Sequence, residues 1–165
     1  MNSGVNETPA LTFGPFETSV GFLLRIAQLT VSERTFAELN RRDLPIGEFT
    51  ILMAIGLNPG VRQGVLADRL RITGSNMTKL VRLLENRGMI RRLVPPHDRR
   101  AIALELTEKG RAHVEEHQDL VLRAVSRAVD CLEAQEQAVL LKLLRKLADW
   151  PPSSPRPPHG ELVEP

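Results

Sequence analysis

At 165 residues the chain has room for one domain with helical extensions, and 42% hydrophobic residues suffice for a core. Aromatics reach only 4%, with no Tyr, so that core must be built from Leu, Val, Ile and Ala, a composition that favours helices. One cysteine, Cys131, excludes an internal disulfide and a cysteine zinc site, and the absence of both a bilayer-length apolar run and a basic-then-apolar N-terminus argues against a membrane span or signal peptide. The expected compartment is the cytoplasm.

Residues 1–15 read as an irregular arm, with Gly4, Pro9, Gly14 and Pro15. From Phe16 to Leu39, Val20, Leu23, Leu24, Ala27 and Val31 recur at helical spacing, and no Pro or Gly interrupts after Gly21. A break at residues 41–45 precedes a helix over 46–57, with Pro45 before its first turn and Asn58-Pro59-Gly60 ending it. A short helix over 63–70 follows. Arg71-Ile72-Thr73 is a tight connection, and Thr73 is placed to cap a helix over 74–87. In that helix Met77, Leu80, Val81 and Leu84 form an inner face, and Gly88 stands at its C-terminal cap.

After Gly88 the period changes to that of strands. Residues 90–94 and 101–106 form a hairpin whose second strand turns Ile102, Leu104 and Leu106 to one side. Its loop carries Pro95, Pro96, Asp98, Arg99 and Arg100. Thr107 can cap a long helix reaching about Leu132, which spans about 37 Å. A last helix covers 134–149, and residues 150–165, rich in proline, form a tail expected to be disordered.

Charge is unevenly distributed. Residues 61–100 hold ten basic side chains against three acidic ones, +7, which leaves −5 on the remainder of a chain whose net charge is +2. A basic block in an otherwise acidic chain is the footprint of a polyanion partner. Short helix, tight turn, capped second helix and basic hairpin is the order of a winged helix-turn-helix. The fold class expected is therefore mainly α with a small β-hairpin wing. The segments are an arm (1–15), an N-terminal dimerisation helix (16–43), the DNA-binding region (44–106), C-terminal dimerisation helices (107–149) and the tail.

In such a fold the second helix enters the major groove by its first turns. Opposite the apolar stripe lie Ser75, Asn76, Thr78, Lys79 and Arg82, side chains suited to base edges and phosphates. Gln63 and the cap Thr73 complete the expected DNA-facing set. Arg99 or Arg100 of the wing would reach the minor groove, oriented by Asp98. No Gly-rich phosphate loop, nucleophile motif or metal constellation suggests an enzyme, and no cofactor or metal is expected.

The runs Leu44-Pro45-Ile46-Gly47-Glu48-Phe49, Gly64 to Leu70, Leu84 to Arg92, Asp98-Arg99-Arg100 and Leu106-Thr107-Glu108-Lys109-Gly110 resemble the MarR family of winged helix-turn-helix transcriptional regulators. The likeness spans about residues 16–148. It implies a homodimer on double-stranded DNA with a pseudo-palindromic operator, and often a repressor released by a small ligand. The N-terminal segment from Gly21 to Leu29 and Asn58-Pro59-Gly60 resemble members that govern aromatic-acid catabolism, which implies an aromatic acid or acyl-CoA effector. Its expected pocket joins Phe22, Arg25 and Ile26 to Phe49 and Met53, apolar walls with a cation.

Two alternative functions compete. One is an architectural DNA-binding protein without a ligand. The other is a zinc-responsive regulator using His113 and His117, which share a helix face beside Glu116 but lack a His or Cys partner near the first helix. Cys131, late in a helix, reads as packing rather than as an oxidant sensor.

Overall fold

The computed structural model describes residues 11–39, 44–93 and 102–150. The arm before residue 11, the break at 40–43, the wing loop 94–101 and the tail 151–165 lie outside them, and with them Asp98, Arg99 and Arg100. The chain forms two compact units, Met1–Ala128 and Val129–Pro165.

Among the described residues the first element of the first unit is a short 3-10 helix, Gly14–Thr18, followed by α1, Val20–Leu39. One continuous helix from Phe16 was expected. The break arises because the Glu17 carboxylate accepts from the Phe13 N–H (2.7 Å) and the Thr12 hydroxyl (2.9 Å), closing a separate turn, after which Ser19 is extended. The same two donors hold the Glu17 carboxyl below its usual pKa.

α2 (Ile46–Leu57), α3 (Gln63–Arg69) and α4 (Gly74–Asn86) follow where the periodicity puts them. The sheet has three strands, not two. β1 (Val61–Arg62), β2 (Ile90–Leu93) and β3 (Ala103–Leu106) lie in the order β1-β3-β2, all antiparallel. A two-residue strand is too short to show a period of two. It is held by pairing of Val61 with Leu104, by the Gly60 N–H on the Leu104 carbonyl and by the Gln63 N–H on the Ile102 carbonyl (both 3.0 Å).

The main core gathers Ile51, Leu52 and Ile55 of α2, Leu66 and Ala67 of α3, Met77, Val81 and Leu84 of α4, and Ile90, Leu104 and Leu106 of the sheet. The alternation read in the second strand is seen in its burial: Leu104 and Leu106 point inward, while Glu105 pairs across the strands with Arg91 at 2.7 Å. A second cluster joins Leu39, Leu44 and Phe49 to Val121 and Ala124 of α5 (Glu108–Arg127). Arg127 pairs with Glu38 of α1 at 3.1 Å beside it.

Gly110 fixes the junction of α5 with the winged region. The Thr107 hydroxyl accepts from the Gly110 N–H (3.1 Å) and donates to the Gly88 carbonyl (2.6 Å). This draws the first turn of α5 so close to Met89 that a Cβ on Gly110 would stand 2.0 Å from the Met89 carbonyl oxygen. The Leu-Thr-x-x-Gly run is therefore a cap and a contact that only glycine permits.

α5 ends at Arg127, short of the expected Leu132. The carbonyls of Val129 and Leu132 instead accept from the Gln137 side chain (3.4 and 2.9 Å), within the second unit. That unit carries α6, Ala134–Leu147, opened by a capping box of Glu133 and Glu136. None of its residues is buried.

Candidate nucleic-acid interface

The helix-turn-helix is α3, the turn at 70–73 and α4. α3 closes with the Ile72 N–H on the Ala67 carbonyl (2.9 Å) and the Arg71 N–H on that of Asp68 (3.2 Å). Thr73 caps α4, its hydroxyl accepting from the Asn76 N–H at 3.4 Å and lying 3.3 Å from that of Ser75. No acidic residue stands in the first turn of α4, so the positive end of the helix is left uncompensated.

Five of the residues expected to face DNA, Thr73, Ser75, Asn76, Lys79 and Arg82, are exposed along one side of this element. Gln63 and Thr78 behave differently. Both are half-buried, and the Gln63 amide donates to the Thr78 hydroxyl (3.0 Å), which itself donates to the Gly74 carbonyl (2.8 Å). They tie α3 to α4 and hold α4 at its angle. The spacing of 15 residues between them gave no sign of this bond in the sequence.

Ion pairing sorts the basic block into two groups. Arg87, Arg91 and Arg92 are held by Glu48 (2.5 Å), Glu105 (2.7 Å) and Glu85 (3.1 Å). Arg62, Arg71, Lys79 and Arg82 pair with no carboxylate among the described residues. The unneutralised cations are thus those around α3, the turn and the exposed side of α4. The count of +7 in the sequence could not show this division.

The residues expected to form a ligand pocket are not brought together within one chain. Phe22 meets Phe13 and Phe16 in tilted contacts, with ring centroids 5.4 and 6.1 Å away, and Arg25 and Ile26 are exposed. Phe49 packs on Leu39, 17 residues further along α1 than Phe22, or about 25 Å of helix. Phe49 instead lines a cavity of about 250 Å³ with Leu44, Leu52, Met89, the Glu48–Arg87 pair and His113. His113 also meets Phe49 at a ring distance of 6.3 Å and His117 at 4.5 Å. Its pKa is lowered, first by burial and then by His117 and Lys109, against the opposing pull of Glu116 and Glu48. Among the described residues no three His, Cys, Asp or Glu side chains are grouped to hold a metal ion. Nor is any described helix long and apolar enough to cross a membrane.

The MarR family pattern matches residues 42–101. A candidate transcriptional regulatory protein for the hcr operon of Thauera aromatica is 30% identical over 139 residues, 83% of each chain. This chain belongs to the MarR family. It is a transcriptional regulator of that type. An HTH-type transcriptional repressor of Mycobacterium tuberculosis is 27% identical, covering 79% of this chain and 94% of its own. Among solved structures, the transcriptional repressor CouR bound to a 23-mer DNA duplex superimposes with a TM-score of 0.76 at 32% identity, over 84% of this chain and 99% of CouR. CouR has also been solved bound to p-coumaroyl-CoA, with a TM-score of 0.75 to this chain.

Proposed function

We propose that this MarR-family regulator represses transcription as a homodimer bound to a pseudo-palindromic operator, and that an aromatic acid or its coenzyme A thioester releases it. The observation that carries the DNA reading is the set of cations with no carboxylate partner among the described residues, Arg62, Arg71, Lys79 and Arg82, around a capped helix with Asn76 on its exposed side. Asn76 can pair bidentately with adenine, whereas Lys79 and Arg82 meet phosphates or guanine. Arg99 and Arg100, oriented by Asp98, are proposed to add a minor-groove contact.

The test is a selection on randomised DNA. Asn76→Ala is expected to relax the selected motif at one position of each half-site, and Lys79→Ala to weaken all DNA about equally. An unchanged motif with Asn76→Ala would remove base reading from this helix.

For the effector, the reading is supported by the cavity at Phe49, where His113 stands beside apolar Leu44, Leu52 and Met89 while Arg87 is held by Glu48. Arg25 and Phe22 would join it only from a second chain, with Met53 behind Phe49. Release requires that the ligand bind the DNA-free arrangement better; a coupling of about 1–3 kcal/mol gives about 5–150-fold weaker DNA binding. A panel of aromatic acids and their thioesters, titrated into the preformed complex, is expected to contain a releasing compound. Arg25→Ala should blunt that response and leave DNA affinity unchanged. A wild-type response in Arg25→Ala would confine the ligand to groups of one chain.

A further inference from the structure

Arg71 holds a backbone φ of 56°, in the left-handed region. It follows the last turn of α3, where the chain reverses through the two hydrogen bonds from Arg71 and Ile72. Glycine occupies such a position without strain, and a long L side chain is an outlier there. The end of α4 is closed by the same pair of bonds, from Gly88 to Glu85 and from Met89 to Leu84, and there the residue is Gly88, with φ 70°. The fold thus contains the relaxed solution to the same turn. What Arg71 adds to it is a charge. Its side chain is exposed and, among the described residues, pairs with no carboxylate. It stands three residues before Gly74, ahead of the positive end of the recognition helix, where a strand bordering the major groove would pass. Strain of this kind gathers where function demands a particular side chain.

We propose that Arg71 is a phosphate-binding residue and that the turn keeps a strained arginine for that contact. This rests on the DNA-binding reading above, and the experiment separates the two. Wild type, Arg71→Gly, Arg71→Lys and Lys79→Ala are compared in thermal melts and in anisotropy titrations on a selected operator and on unrelated DNA, at several salt concentrations. Arg71→Gly should raise Tm by about 2–4 °C. It should also weaken both DNAs by about threefold or more and flatten the logarithmic salt dependence by about 0.9 for each Arg71 engaged. Arg71→Lys should keep the wild-type Tm and slope. An Arg71→Gly protein with the affinity and slope of wild type overturns the proposal, while Lys79→Ala losing affinity in the same series leaves the DNA reading standing. An Arg71→Gly protein no more stable than wild type overturns the strain. A wild type that binds neither DNA overturns both readings.

Discussion

Gly110 and His113 lie three residues apart on α5 and answer to different forces. Gly110 has the Met89 backbone where a side chain would begin, and backbone cannot move aside as the end of a side chain can. Gly110→Ala should therefore cost about 1–3 kcal/mol by overpacking and lower Tm by about 2–12 °C. Gly64→Ala is the control: a Cβ there meets nothing within 4 Å, and alanine in a helix should leave Tm equal or slightly raised. Melts of the two variants decide this. His113 titrates below its ordinary value of 6.5 in the fold. The unfolded chain thus takes up that proton first, so this group favours folding fully above about pH 6.5 and progressively less as pH falls toward its folded pKa. Tm measured from pH 7.5 down to 5 should fall less steeply for His113→Gln than for wild type. Parallel curves would show that the burial of His113 has no such consequence.

At the scale of elements, α2, α3 and α4 were legible because a period of 3.6, a Pro before one helix and a Thr cap before another all agree. The Gly88 cap and the alternation of β3 were equally plain. Four things were not. β1 is held by its partner and not by its own pattern. The Gln63–Thr78 bond and the Met89–Gly110 contact join residues distant in sequence, and nothing in their spacing announces them. Which arginines are paired depends on where Glu48, Glu85 and Glu105 come to lie. The helix α6 raises the opposite question, for its pattern is clear and, among the described residues, none of its side chains is buried. Leu143 and Leu147 are 56% and 62% exposed. A leucine stripe in water is a surface that seeks a partner, and we expect a second copy of the chain. Light scattering at micromolar concentration should give about twice the 18.4 kDa of one chain. The double variant Leu143→Glu with Leu147→Glu should shift it toward monomer. A wild type that stays monomeric and folded would contradict the dimer.

For the molecule as a whole, what matters is which cations the fold itself neutralises. The cations of β2 and the end of α4 are consumed by carboxylates that hold the fold. Those of the turn and the recognition helix are left for a polyanion, and Gln63, Thr78 and Thr107 keep the elements that carry them in place. A cluster of cations alone would bind any DNA; in the function proposed above, Asn76 among them makes sequence matter. The most direct measurement is therefore an anisotropy titration of the purified protein at physiological salt, on an operator found by footprinting DNA beside its own gene and on unrelated DNA of equal length. Binding at least about 10³-fold tighter to the operator is expected, with an affinity that falls steeply as salt rises. Equal affinity for the two sequences would contradict it.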